Sequence, residues 1–328
     1  MSSLFSQADD IFFSRHPELV NPSTGERRLL TMNPSDTALR QEWMTIYRAL
    51  EDAENGGYEV CDIDGVVQPC PKSDSGLPKK YISSNAKKRL DIAQEAINYA
   101  KNIFSFGAGN QSPALTDTNF NSYYRMSTSR DNSMFNITEE VVDIATENPM
   151  AFLAAKAELT KGGNCGEHAH VVYDYIRRNY PEVKVQIAQK KELDHAFVII
   201  GDHSTETHTE LVVADAWPTD PTPVLWEDHF AYAKNEDTII HAEAENDDRD
   251  YRKELFEAGL SLNEKGTKRT ETSLSEDQTK DKVDSGNGWI WNHSDTASQK
   301  FEYLVDPELD VSPPSIGPLP PPEEPSTE

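Results

Sequence analysis

Apolar positions at helical spacing organise the first half of the chain. From Asp36 to Glu54, the residues Leu39, Trp43, Ile46, Tyr47 and Leu50 fall on one helix face. A second face runs from Ser84 to Phe104 through Leu90, Ile92, Ala93, Ile97, Ala100 and Ile103, and ends at Gly107-Ala108-Gly109. A third helical region covers Thr138 to Thr160, with a break expected near Asn148-Pro149 because proline cannot continue the hydrogen-bond ladder. Between these, Tyr58 to Pro78 reads as turns with one short strand, and Asn110 to Ser133 is polar and irregular. From Gly162 the pattern changes. A helix is predicted from Cys165 to Tyr180, then strands at Val183 to Gln189, His195 to Ile200 and Glu210 to Ala216, with Val183, Val185 and Ile187 alternating. One helix followed by three strands predicts an α+β core, a helix packed on an antiparallel sheet.

The flanks differ in character. Residues 1 to 35 are polar and lack a sustained period, so a mobile leader is expected, followed by a mainly helical region over 36–160. The core is placed at 161–300, with a charged insertion at 235–286 read as solvated helix and loop. Residues 306–328 form an acidic, proline-rich tail expected to be extended and disordered. With 57 Asp and Glu against 31 Lys and Arg, the net charge is −26, which argues against nucleic acid or an anionic membrane as the main partner because phosphate repels such a chain. No stretch approaches the ~20 apolar residues of a membrane span, and Met1 to Leu30 carries no readable Sec-type signal. The three cysteines, Cys61, Cys70 and Cys165, include no metal-type CxxC pair, which fits a reducing compartment. A Cys61–Cys70 bridge across the short intervening loop is the less favoured alternative.

The chemistry concentrates in Gly162-Gly163-Asn164-Cys165-Gly166-Glu167-His168. A nucleophilic cysteine needs a field that favours the thiolate and a base beside it. Asn164 reads as a helix N-cap with Glu167 at the third helical position, a variant capping box. Cys165 then stands at the first position, where free amides and the helix dipole favour negative charge. Gly162, Gly163 and Gly166 leave room for a substrate backbone. Cys165, Ala169, Val172, Tyr173 and Ile176 share one face, which aims the thiol at the sheet. If the hairpin between the second and third strands is symmetric about position 205, His195 lies opposite Asp215, close enough for a carboxylate to hold an imidazole nitrogen. Alternation puts Asp194 on the other face.

Each residue also has a plainer explanation. A buried cysteine is commonly an inert small hydrophobe, a histidine at a strand start is commonly structural, and Asp215 before Trp217-Pro218 could only cap a strand end. Their joint order and register favour a catalytic set of Cys165, His195 and Asp215 with no cofactor and no metal. Glu167 is read as a cap. Cys165, His168, His170 and His195 offer soft ligands for a metal-dependent hydrolase, but positions 168 and 170 lie on different sides of a helix and do not converge on one ion. His168, one turn from Cys165, is read either as a supporting residue behind the site or as a competing base.

Cys165 on a glycine-rich helix start, Asp194-His195-Ala196-Phe197-Val198 opening a strand, and Asp215-Ala216-Trp217-Pro218 closing the next resemble the transglutaminase-like branch of papain-type cysteine enzymes. Within it the chain looks most like bacterial effectors delivered into host cells by type III secretion, such as the AvrPphE (HopX) family. The resemblance covers Gly162 to about Pro218. It implies a papain/transglutaminase-like core with Cys165 as nucleophile, His195 as base and later acid, and Asp215 as orienter. The Cys165 amide, Asn164 or Gln111 would serve as oxyanion donor. It also implies a protease, deamidase or transglutaminase acting on a host protein, export by a non-Sec route into the host cytoplasm, and room for a secretion chaperone. The alternative is a catalytically silent effector that binds a host protein.

Overall fold

The computed structural model describes residues 4–22, 24–28, 36–56, 58–63, 66–71, 77–190, 193–232, 238–243, 249–285, 289–291 and 301–310. The chain divides into two compact units, Met1–Tyr81 with Lys300–Leu304, and Ile82–Gln299 with Val305–Glu328.

The first unit holds α1 (Leu4–Arg15), α2 (Thr37–Gly56), β1 (Tyr58–Ile63), β2 (Val66–Pro71) and most of β3 (Lys79–Ile82). Within the stretch 1–35 expected to be a mobile leader, residues Leu4–Arg15 form helix α1. Ala8 and Phe12 stand one turn apart and are buried with Ile46 and Leu50 of α2, a two-residue stripe too short to register as a period. The stretch expected to hold one short strand forms the β1–β2 hairpin instead. Its register sets Cys61 opposite Gln68 and Cys70 opposite Glu59, so the two cysteines are not cross-strand partners.

The second unit contains α3 (Ser84–Ile103), α4 (Ser112–Asp117), α5 (Asn121–Ser129), β4 (Phe135–Asn136), α6 (Glu139–Glu147), α7 (Pro149–Thr160) and α8 (Cys165–Asn179). It continues with β5 (Val185–Lys190), β6 (Ala196–Ile200), β7 (Val212–Ala214), β8 (Val224–Leu225), β9 (Thr238–Glu243) and α9 (Tyr251–Glu257). β10 (Ser261–Leu262), α10 (Glu264–Thr270) and α11 (Glu276–Asp284) follow, and most of β11 (Glu302–Val305) returns to the first unit. The break expected at Asn148-Pro149 is present, with Asn148 Oδ1 accepting from the Ala151 N–H at 3.0 Å to cap α7.

The boundary expected at residue 160 is absent. Helices α3 and α7 pack on β7 and α8, so the helical region and the predicted core form one body. Of the range 235–286, α11 is largely solvated, with Thr279 its buried residue, but two other described parts are built into the packed body. Within it, β9 is an edge strand paired with β5, and α9 buries Leu255 with Val141, Ile144 and Ala155. The tail from residue 311 onward lies outside the described residues.

The sheet runs β8-β7-β6-β5-β9 with every pairing antiparallel, an α+β arrangement in which α8 packs on β5 and β6. Phe197, Ile199, Leu211 and Val213 share a core cluster with Trp226 and Ala231. The alternate residues Val198, Ile200, Val212 and Ala214 are equally buried, so both faces are covered. The β6–β7 register differs from the expected one by two residues: Ile200 opposes Val212 and Val198 opposes Ala214. The cause is a loop built around Glu206 and not position 205. The Glu206 carboxylate accepts from the Asp202 N–H at 2.7 Å and pairs with Arg89 of α3 at 2.6 Å. Because strands repeat every two residues, this shift leaves every side chain on its predicted face.

Candidate active site

Cys165 opens α8, and the loop before it is held from two sides. The Glu167 carboxylate accepts from the Asn164 N–H at 2.7 Å. Asn164 faces the Glu167 amide as a capping box requires, but too loosely for a hydrogen bond, and its Oδ1 is buried without a donor. The Gly163 carbonyl accepts from the Gly109 N–H at 3.0 Å. Two of the three glycines therefore serve packing. A Cβ on Gly162 would lie 2.5 Å from the Arg125 carbonyl carbon, and one on Gly163 would lie 2.2 Å from the Glu167 Cβ. Only Gly166, with nothing within 4 Å of such a Cβ, faces open space as the sequence suggested for all three.

Strand ends bring the other two groups. His195 precedes β6 and Asp215 follows β7, and despite the shifted register His195 Nε2 lies 2.7 Å from Asp215 Oδ2. Nδ1 is the nitrogen not engaged by Asp215, and the partly exposed sulfur of Cys165 is close enough to help raise the imidazole pKa and lies 4.0 Å from the Asp194 carbonyl oxygen. The His195 ring is 2% exposed, with the rings of Trp217 and Phe230 at 4.9 and 5.0 Å. Burial alone would depress its pKa. The charge and hydrogen bond of Asp215, with the influence of Cys165, outweigh that and push it up to about 10. Burial works to raise the Asp215 carboxyl, but His195 and then His229 hold it well below the usual carboxylate range. The arrangement is a buried ion pair that leaves one imidazole nitrogen, Nδ1, outside the pairing.

The remaining sequence candidates take structural places. Gln111 donates from Nε2 to the Trp217 carbonyl at 2.8 Å, which ties up the side chain considered as an oxyanion donor. The Cys165 amide, at the first position of α8, has no intrahelical acceptor and stays suited to that task. His168 donates from Nδ1 to the Asn164 carbonyl at 2.7 Å and stacks on Phe104 at 3.8 Å. Burial pushes its pKa down to about 4, and its Nε2 is enclosed without a partner, so it is a neutral packing group and not a competing base. His170 is likewise pushed down to about 4 by burial.

Two residues of the site were not anticipated. Arg130, at the end of α5, forms a two-pronged pair with Glu167 at 2.7 and 2.8 Å and lies within electrostatic reach of Cys165 and Asp194. His229, after the short helix Trp226–Asp228, places Nε2 at 3.3 Å from Asp215 Oδ2. His195, Asp215 and His229 thus present three buried potential ligand atoms within 4.8 Å of one another, a different set from the Cys165, His168, His170 and His195 considered in the sequence. As arranged, both imidazoles point at one carboxylate oxygen. His229 Nδ1 accepts from the Ala231 N–H at 3.3 Å, which leaves the proton of the neutral ring on Nε2, where a cation would otherwise sit.

Among the described residues, no helix is long and apolar enough to cross a membrane. No protein-family model matches the chain, and no match is found among curated proteins or solved structures.

Proposed function

We propose that the protein is a Cys-His-Asp thiol enzyme acting on carboxamide or peptide bonds of a protein substrate, with the core of a transglutaminase-like, papain-type enzyme. The observation that carries this reading is the 2.7 Å bond from His195 Nε2 to the buried Asp215, which leaves Nδ1 for a sulfur at a helix N-terminus. The sulfur attacks the carbonyl carbon, forming a C–S bond, and the oxyanion rests on the Cys165 amide. His195 gives its Nδ1 proton to the departing amine or ammonia as the C–N bond breaks, leaving a thioester. Water or an amine then adds to the thioester, its proton passes to Nδ1, and the C–S bond breaks to release the acid or the new amide. Water acting on a glutamine side chain gives deamidation, an amine gives transamidation, and a backbone amide as substrate gives proteolysis. The net charge of −26 favours a substrate with a basic surface. A host protein, reached by type III delivery, is the substrate class the resemblance supports.

The test is reactivity. Iodoacetamide is expected to label Cys165 faster than Cys61 or Cys70, and His195→Ala to remove that preference. Equal labelling of all three in the wild type would leave the silent, host-binding reading in its place. Intact-mass analysis of candidate host proteins after exposure to wild type and Cys165→Ala then names the reaction as amide hydrolysis, crosslink or cleavage.

A further inference from the structure

We propose that His229 is a positioning residue for this site, a second imidazole that locks the Asp215 carboxylate in the orientation that aims His195 at Cys165. The proposal rests on the thiol-enzyme reading and extends it to a fourth residue.

Asp215 is nearly enclosed at 5% exposure, so each carboxylate oxygen depends on protein donors. Oδ1 receives the Trp217 N–H at 3.1 Å. Oδ2 receives His195 Nε2 at 2.7 Å and His229 Nε2 at 3.3 Å. A carboxylate held by one donor on each oxygen can still swing about its Cβ–Cγ bond; a second donor on Oδ2 from another chain segment restricts that swing. The Ala231 N–H on His229 Nδ1 makes the restriction dependable, because it selects the tautomer that donates from Nε2.

The surroundings argue against a packing role alone. His229 is 7% exposed, with the rings of Phe230 at 4.4 Å, Phe197 at 4.9 Å and Trp226 at 6.1 Å. An apolar ring would fill that aromatic cage at lower desolvation cost, so an imidazole there is explained by what its nitrogens do. Its ring lies nearly parallel to that of His195, at 17° and 6.2 Å, and both edges meet the same carboxylate oxygen.

The experiment uses the full chain and two variants. His229→Gln can place an amide N–H near the position of Nε2; His229→Phe fills the cage without a donor. The rate of Cys165 carbamidomethylation is read by peptide mass spectrometry, and the imidazole tautomers by NMR of ¹⁵N-histidine-labelled protein. The Phe variant is expected to lose about tenfold in labelling rate, the scale at which removal of an orienting hydrogen bond acts, and the Gln variant to recover most of it. In the wild type, His229 is expected as the Nε2–H tautomer. Wild-type labelling in a folded Phe variant, while His195→Ala abolishes the preference for Cys165, overturns the role of His229 and leaves the thiol site intact. Loss of the preference for Cys165 in the wild type itself defeats the underlying reading instead. If the Phe variant does not fold, the wild-type tautomer and the Gln rate decide: an Nδ1–H ring, stoichiometric bound zinc, or a folded Gln variant as slow as His195→Ala each overturns the proposal.

Discussion

Replacing Asp215 with asparagine removes the charge from the centre of the site with little change in shape. In the wild type that carboxylate accepts from His195 Nε2 at 2.7 Å and is the main influence raising the His195 pKa to about 10 against the opposing effect of burial. Asparagine keeps one acceptor oxygen, so the side chain can remain in place, but it cannot support an imidazolium. With burial then unopposed by that charge, His195 should titrate below the ordinary 6.5 and be neutral at pH 7. A buried hydrogen bond to a charged group contributes roughly 1.5–3 kcal/mol, which corresponds to a loss of about tenfold to a hundredfold in reaction rate at the sulfur. The assay is the iodoacetamide rate at Cys165 relative to Cys61 and Cys70 in the same sample, with His195 followed by NMR titration. An Asp215→Asn protein that labels Cys165 at the wild-type rate, while His195→Ala does not, would refute the coupling of charge to reactivity.

Other perturbations test separate parts of the structure. His195 is raised on folding, so its contribution to stability is fully present below about pH 6.5 and declines as pH rises through about 10. Asp215 is depressed, so its contribution is present above about pH 3.9 and declines only as pH falls through its lower folded value. The stability gap between wild type and His195→Gln, measured by denaturant melts, should therefore narrow between pH 7 and pH 10; a constant gap contradicts the ion pair. Gly163→Ala forces a Cβ to within 2.2 Å of the Glu167 Cβ and should destabilise by about 1–3 kcal/mol, whereas Gly166→Ala should leave the melting temperature unchanged. The reverse order would overturn the packing assigned to the loop. Arg130→Ala should lower the labelling rate with anionic iodoacetate more than with neutral iodoacetamide, by about threefold, and added salt should erase the difference. Equal losses with both reagents would show that Arg130 exerts no field at the sulfur.

Much of the fold was readable because it rests on local signals. Helices α2, α3 and α8, the break at Pro149 and the β5–β6–β7 order follow from periodicity and proline, and Asp215 met His195 through a two-residue register error that cancels in a period of two. What was missed depends on contacts between distant segments. His229 lies between Trp226 and Phe230 in the sequence, which marks a polar ring in an apolar setting, but nothing local points to Asp215 as its partner. Arg130 is 37 residues from Glu167, and only the packing of the helices brings the two together. Gly162 was misread for the same reason, since its neighbour Arg125 is brought in by α5, whereas Gly163 is crowded by Glu167 of the adjacent helix start, a local contact that the cap pattern already implied.

The hydrogen bond from Gly109 to Gly163, with the fit of Gly162 against Arg125, has a consequence for modularity. The segment that carries Cys165, His195 and Asp215 is not expected to work as an excised cassette, because the loop that presents the sulfur takes its shape from α5 and the connection after α3. A fragment beginning at residue 161 would keep the triad's residues and lose the mould that positions them. The compact unit that holds the proposed site begins at Ile82, so recombination or truncation inside 82–160 is expected to lower the reactivity of the thiol without touching it.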